Sequence, residues 1–164
     1  MNVQTMLVLG ALTLIGAITL LVNRNMFDTS ERVTESNVII SALSLGEATI
    51  SSAMNYRYDE SVTATTLAQF TVSTGLGPES GEVFPNFDDV DDFNRLNNKV
   101  TMGGIDFQLI GSVYYVDDDD LSTKLTTTSY NKRMMIQVKS AYLYRLPDSA
   151  VTLSYVATYQ KLFK

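Results

Sequence analysis

The first 23 residues of the chain are almost entirely apolar. Residues 1–23 carry no charged side chain, and between Met6 and Val22 only Thr13 and Thr19 are polar. As an α-helix this segment would measure about 34 Å, close to the roughly 30 Å hydrocarbon core of a bilayer. The pattern therefore predicts an N-terminal helix long enough to span a membrane.

The same helix is predicted to continue beyond its apolar part. Residues 23–58 contain no proline and a single glycine, Gly46, so nothing in this stretch forces a helix to stop. Apolar side chains recur here at spacings of three and four, which predicts an amphipathic helix to about residue 58 with one face on a folded body. The residues predicted to pack on that body are Ile39, Leu43, Ile50 and Met54. A separate core helix over residues 33–58, after a loop, is the alternative.

The pattern changes again in the second half of the chain. Residues 61–100 contain several glycine and proline breakers and are predicted to form a variable loop. From residue 104 onward, apolar and polar side chains alternate with the period of a β-strand. Strands are predicted over residues 105–116, 132–144 and 151–163, with two turn-rich segments between them.

Three long strands in succession favour an antiparallel meander. The predicted fold class is therefore α+β, with a long N-terminal helix packed on a C-terminal antiparallel β-meander. In domain terms, the sequence predicts a membrane or filament-core helix over residues 1–23 and a globular domain over residues 24–164.

Composition removes most catalytic chemistry. The 164 residues contain no cysteine and no histidine, which excludes thiolate zinc sites, disulfides, a cysteine nucleophile and the most common general base. The formal net charge is -6, so the basic surface that nucleic acid requires is missing. We therefore predict that the protein is not an enzyme and does not bind nucleic acid.

Three interpretations of the apolar segment remain open. A cleavable secretory signal would need a basic residue before the apolar run and a small-residue site after it, and neither is present. A plain membrane anchor is physically adequate, but Arg24 on its C-terminal side would then place the remaining residues in the cytoplasm. In the third interpretation, a short basic leader that set the orientation has already been removed.

An uncharged N-terminal segment, an amphipathic helix, a variable loop and a meander follow one another in the order found in type IV pilins and pseudopilins. The chain resembles this superfamily over its whole length, with local similarity in residues 36–54 and in the acidic string Phe87-Asp-Asp-Val-Asp-Asp-Phe-Asn94. The resemblance implies a structural subunit of a helical surface filament that polymerises through its N-terminal helix. It also implies that a prepilin peptidase removes a basic leader and methylates the new amine, here on Met1.

The resemblance further implies partners and a location. The partners are other copies of the chain, the inner-membrane assembly machinery, the prepilin peptidase and, before assembly, the membrane itself. The subunit would lie in the inner membrane first and then in an extracellular filament on a prokaryotic cell surface. A pseudopilin of a type II-like secretion system is the alternative within the superfamily, and a bitopic membrane-anchored binding domain is the alternative outside it.

The apolar segment supplies the predicted contacts between subunits. These residues are Asn2, Gln4, Thr5, Leu7, Leu9, Leu12, Leu14, Ile15, Ile18 and Leu21. The superfamily normally has a glutamate at the position of Thr5, which compensates the terminal amine of a neighbouring subunit. Here only neutral dipoles are available at positions 2, 4 and 5, so this sequence departs from the superfamily at that point.

The acidic string is also a candidate metal site. Asp88, Asp89, Asp91 and Asp92 are closely spaced in the predicted loop, and hard oxygen ligands of this kind suit calcium. Their spacing does not match an EF-hand, which needs a set glycine and a distal glutamate. We favour a solvated acidic surface, so calcium stays an alternative and no other cofactor is predicted.

Overall fold

The computed structural model describes residues 2–60 and 66–159. Within these residues it contains one long α-helix and a single four-stranded sheet, whose strands pair in chain order and are all antiparallel. The elements are α1 (Val3–Ala53), β1 (Asn97–Met102), β2 (Ile105–Val116), β3 (Asn131–Lys139) and β4 (Ala150–Thr158). The predicted α+β fold, with a long N-terminal helix and an antiparallel meander, is confirmed. Met1, on which methylation was expected, lies outside the described residues.

Two compact units make up the chain, residues 1–37 and residues 38–164. Both core clusters of the described residues are built from side chains at or after Val38. The boundary after residue 23 that we expect from the charge pattern stays a prediction.

Helix α1 ends at Ala53, earlier than the predicted end near residue 58. The side chain of Asn55 donates to the carbonyl oxygen of Ser51 at 2.8 Å, and the Tyr56 amide donates to the carbonyl of Ala53 at 3.1 Å. Both bonds satisfy carbonyl groups that the last turn leaves without intrahelical partners. These bonds therefore take the place of the hydrogen bonds that a further turn of α1 would make.

The buried face of α1 consists of small residues at its centre. Its buried positions follow spacings of four, four, three and four and are Val38, Ala42, Gly46, Thr49 and Ala53. A Cβ atom added at Gly46 would lie only 2.5 Å from Leu153 Cδ1 and 3.5 Å from Val138 Cγ2. The helix thus approaches β3 and β4 so closely that large side chains do not fit at the point of contact.

Because the closest approach falls on small residues, only two of the four residues predicted to pack on the body do so. Ile39 and Ile50 are partly buried and pack against the core as expected. Leu43 is 37% exposed and Met54 is 57% exposed, so their assignment to the packing face is wrong. Large residues flank the line of contact, whereas Ala42 and Gly46 occupy it.

The sheet presents one alternating apolar face to the helix side of the core. Phe107, Leu109 and Val113 of β2 are buried, as are Met134, Ile136 and Val138 of β3. Because side chains alternate between the two faces of a strand, these residues share one side of the sheet. The core cluster joins them to Val38, Ala42 and Ala53 of α1.

Strand β1 corrects the prediction that residues 61–100 form only a loop. Its first residues, Asn97, Asn98 and Lys99, are polar, and the strand lies at the edge of the sheet with no fully buried side chain. A two-residue turn, Gly103–Gly104, joins β1 to β2, and both glycines have positive φ angles of 60° and 78°. Consecutive positive φ angles match the twist of a tight hairpin, which is why glycine is needed at both positions.

Gly111 of β2 lies directly beneath the backbone that precedes β1. Its amide donates to the carbonyl of Leu96 at 2.9 Å, and its carbonyl accepts from the amide of Arg95 at 3.1 Å. A Cβ atom at this position would overlap the carbonyl oxygen of Phe93 and lie 2.9 Å from Leu96 Cβ. Backbone atoms cannot move aside as the end of a side chain can.

We predict that Gly111→Ala destabilises the fold by about 3 kcal/mol, because the new methyl group overlaps fixed backbone. Thermal unfolding of the full chain in detergent micelles would measure the loss. Ser112→Ala, at the next position of the same strand, is the matched control and should melt within a few degrees of the unaltered protein. Equal melting temperatures for Gly111→Ala and the unaltered chain would contradict the close contact.

Candidate functional site

The first candidate site is the apolar N-terminal part of α1. Residues 2–34 are exposed throughout, and none of the most apolar stretch of the helix is buried. The helix is long and apolar enough to cross a membrane, by length and composition. The residues predicted to make subunit contacts all lie in this exposed part: Asn2, Gln4, Thr5, Leu7, Leu9, Leu12, Leu14, Ile15, Ile18 and Leu21.

Both polar side chains between Met6 and Val22 donate to the helix itself. The hydroxyl of Thr13 donates to the carbonyl of Gly10 at 2.9 Å, and that of Thr19 donates to the carbonyl of Ile15 at 2.9 Å. Helical structure continues through Gly10 and Gly16 without interruption. These hydroxyls therefore carry no unpaired donor into an apolar environment, where an unpaired donor would cost several kcal/mol.

The second candidate site is the acidic string, which the structure places beside the end of α1. The backbone of Arg57 pairs with this string: its carbonyl accepts from the Val90 amide at 2.9 Å and its amide donates to the Asp88 carbonyl at 3.2 Å. A short 3-10 turn, Asp91–Phe93, follows. The apolar residues Phe87, Val90 and Phe93 point into the core, which draws the intervening aspartates inward.

The structure overturns the interpretation of this string as a solvated acidic surface. Asp89, Asp91 and Asp92 are each 0% exposed, and Asp88 is half-buried. Asp92 Oδ2 accepts from the amides of Asp88 at 3.0 Å and Asp89 at 3.2 Å. Asp89 Oδ1 accepts from the amide of Asp91 at 2.8 Å. The string thus folds on itself because its own carboxylates cap its own amides.

Two cations reach the string from other segments. Arg57 forms an ion pair with Asp88 at the surface. Lys132 of β3 is fully buried, and its Nζ donates to Asp91 Oδ1 at 2.5 Å and to Asp59 Oδ2 at 2.9 Å. A third bond runs from Nζ to the carbonyl of Tyr58 at 2.8 Å. An ammonium group has three N–H donors, so all the donors of Lys132 are used and its role is structural.

The environment of Lys132 is aromatic as well as acidic. Its Nζ lies 4.5 Å from the ring centroid of Tyr58 and 5.5 Å from that of Tyr115. Asp59 is held in turn by Thr71, whose amide donates to Oδ2 at 3.1 Å. The ion pairs are therefore enclosed and shielded from solvent, where the attraction between opposite charges is stronger than at a surface.

Negative charge nevertheless exceeds positive charge in this region. Four carboxylate oxygens are buried and accept no hydrogen bond from the described residues, namely Asp88 Oδ1, Asp89 Oδ2, Asp91 Oδ2 and Asp92 Oδ1. Burial, reinforced by the Asp91 carboxylate, raises the pKa of Asp89 to about 8. Burial also raises the pKa of Asp92. The fold therefore favours the protonated form of Asp89 over the carboxylate.

The sequence patterns did not single out Lys132 and Asp59 as site residues. Lys132 is two residues before Met134, and Ile136 and Val138 follow at the same spacing along β3. Strand periodicity therefore places Lys132 on the core side with them. A charge on a core face needs a buried partner, and that signal was present in the sequence. The identity of the partners required the chain path between α1 and the sheet.

No protein-family model matches this chain, and neither the curated proteins nor the solved structures contain a significant match.

We predict that Lys132→Met destabilises the body by about 3–5 kcal/mol, because it leaves Asp59 and Asp91 buried without a counter-charge. Urea unfolding of the full chain in detergent micelles, followed by tyrosine fluorescence, would measure the change. Lys99→Met removes the same charge from an exposed position of β1 and should unfold close to the unaltered chain. A loss below about 1 kcal/mol for Lys132→Met would show that the ion pairs are not buried as described.

We predict that Asp89→Asn raises the melting temperature above pH 7 and flattens its dependence on pH. The pKa of Asp89 is higher in the folded state than its ordinary value of 3.8. Its contribution is therefore fully present below about pH 4 and is lost as the pH rises through about 8, since the unfolded chain releases the proton first. Asparagine cannot ionise, so the variant avoids that loss.

Melting curves between pH 4 and pH 9, recorded in the presence of a chelator, would test the effect. Asp119→Asn, at an exposed position, should keep the pH dependence of the unaltered chain. A parallel pH dependence for Asp89→Asn and the unaltered chain would contradict the raised pKa.

Proposed function

We propose that this chain is a structural subunit of a type IV pilus-like helical filament and polymerises through its apolar N-terminal helix. The observation that supports this most directly is the uncharged, fully exposed part of α1. An apolar surface of this extent requires lipid or other apolar side chains around it. A bundle of identical helices provides such surroundings once the subunit has left the membrane.

The order of elements supports the same proposal. A long helix begins as an apolar segment, and its last turns pack on a four-stranded antiparallel meander, which is the arrangement expected of a pilin-like subunit. In such a subunit the globular body folds by itself and the apolar helix makes the polymer. Both core clusters of this chain, built from residues at or after Val38, fit that division.

The energetics of assembly follow from the character of the apolar helix. Before assembly its leucine, isoleucine and valine side chains contact lipid, and in the filament they contact other helices. The transfer changes little net hydrophobic energy, so a motor can drive it in either direction. Small residues at Gly10, Thr13, Gly16 and Ala17 allow neighbouring backbones to approach closely, which favours helix association by van der Waals packing.

The proposal carries specific partners and locations. Other copies of the chain, a prepilin peptidase and an inner-membrane assembly machinery are the partners. The subunit resides in the inner membrane and then in an extracellular filament of a prokaryotic cell. Near the start of α1, the neutral dipoles of Asn2, Gln4 and Thr5 would solvate a neighbouring terminal amine in place of a glutamate.

A second candidate function is a membrane-anchored binding domain. It is favoured by the observation that the same stretch is long and apolar enough to cross a membrane. A pseudopilin of a secretion system would also polymerise through this helix. The experiment must therefore distinguish a chain that polymerises into filaments from one that stays anchored in the membrane.

We predict that Leu14→Lys abolishes filaments while leaving the body folded. A lysine at the middle of the apolar stretch would cost roughly 3 kcal/mol per subunit in the membrane and would face apolar neighbours in a helix bundle. The measurement is the amount of the chain in filaments sheared from the surface of the producing cells, examined by electron microscopy and immunoblotting.

Thr126→Lys adds the same charge at an exposed position of the body and should leave filament yield unchanged. Cells with the unaltered chain should release filaments that contain it. If the unaltered chain stays in the membrane fraction and never appears in sheared filaments, it is an anchored domain and the filament proposal is wrong.

A further inference from the structure

Three carboxylates from two separate segments converge at the edge of the acidic string. Glu79, Glu82 and Asp92 each bring one oxygen to within 4.8 Å of the oxygens of the other two. Like charges at such distances repel strongly unless a positive group lies among them. The convergence is therefore stable only if a proton or a cation lies among the three groups.

The chain holds these three groups in place. The Glu82 amide donates to the Glu79 carbonyl at 3.1 Å, and the Glu79 amide donates to Glu82 Oε2 at 3.1 Å, which closes a tight turn. Asp92 is fixed from the other side, because its Oδ2 accepts from the amides of Asp88 and Asp89. Backbone hydrogen bonds thus orient the carboxylates of Glu82 and Asp92 before any ligand binds, and Glu79 belongs to the same turn as Glu82.

The second oxygen of Asp92 points to a missing ligand. Asp92 is 0% exposed, and its Oδ1 is buried and accepts no hydrogen bond from the described residues. A buried carboxylate oxygen without a donor costs several kcal/mol unless a proton or a cation reaches it. This oxygen belongs to a group that already faces two glutamates, so a cation between the three would satisfy it.

The nearby positive side chains do not serve this purpose. Lys132 donates all of its N–H groups to Asp59, Asp91 and a backbone carbonyl. Arg57 is paired with Asp88. Arg95 lines the same cavity as Glu82 and Asp92, but among the described residues it forms no ion pair with either.

We propose that Glu79, Glu82 and Asp92 bind a calcium ion. All three ligands are carboxylate oxygens, which hard cations prefer, and the chain contains neither histidine nor cysteine to suit a softer metal. Glu82 and Asp92 also line a cavity of about 210 Å³, which leaves room for the water molecules that complete a calcium shell. Calcium accepts irregular geometry with six to eight oxygens, whereas magnesium demands a near-ideal octahedron.

This site differs from the one that the sequence suggested. Of the four aspartates in the acidic string, Asp92 alone belongs to the trio. Asp88 and Asp91 are occupied by Arg57 and Lys132, and Asp89 folds back onto the Asp91 amide. The two glutamates come from the preceding turn, so the ion would connect that turn to the start of the sheet.

The test is thermal unfolding of the full chain in detergent micelles after treatment with a chelator, with calcium chloride then added alone. At about ten times the dissociation constant, calcium should raise the melting temperature by roughly 3–6 °C, since it binds the folded state. Magnesium chloride at the same concentration should give a much smaller rise.

Glu79→Gln with Glu82→Gln is the diagnostic variant, because glutamine keeps the oxygen that accepts from the Glu79 amide and removes the charge. In chelator this double variant should melt at or above the unaltered chain, since mutual repulsion is gone, and calcium should no longer stabilise it. Glu47→Gln with Asp119→Asn removes two exposed charges elsewhere and should retain the full calcium response.

Three outcomes would overturn the proposal. The first is an unchanged melting temperature of the unaltered chain at about 10 mM calcium, far above the range of most calcium sites. The second is an equal rise in the unaltered chain and the glutamine double variant, which would place the ion elsewhere. The third is an equal response to magnesium, which would exclude a calcium-selective site.

Discussion

A buried ammonium group organises the part of the body that has no regular secondary structure. Lys132 joins β3 to Asp59, in the segment that follows α1, and to Asp91, in the turn that precedes β1. Removing such charges from water costs several kcal/mol each, so the three groups are stable in the interior only together. The path of the chain between helix and sheet is therefore specified by a polar contact that tolerates little variation in geometry.

Several other features depend on that path. Because Asp91 is drawn toward β3, the 3-10 turn Asp91–Phe93 lies over β2, where only Gly111 leaves space for its backbone. The same turn points Phe93 into the core and orients Asp92 toward the preceding glutamates. One ion pair network thus couples the packing of the core to the arrangement of the surplus carboxylates.

The regular elements could be predicted from periodicity, whereas the contacts between them could not. The apolar run is an uninterrupted series of apolar residues. Strands β2 to β4 follow from apolar residues at every second position, and the helix follows from apolar residues three and four apart. Strand β1 was missed because its polar residues pair with β2 at an edge and bury no side chain completely. Leu43 and Met54 were misplaced because periodicity identifies a face, but the closest approach of α1 falls on Gly46. The acidic string was misread because aspartates usually face water, and the burial of Asp91 depends on Lys132, 41 residues further along.

The two units of the chain satisfy polar side chains in different ways. In the apolar part of α1, Thr13 and Thr19 donate to carbonyls of the same helix, so these two hydroxyls depend on no partner outside it. In the body, Lys132 and its aspartates depend on partners far away in sequence and lose their stability if one is removed. In the filament proposal the subunit moves between lipid and a helix bundle, and it therefore needs a segment whose polar groups stay satisfied in either environment. It equally needs a body whose fold does not respond to that move, and a core built from side chains at or after Val38 meets this requirement.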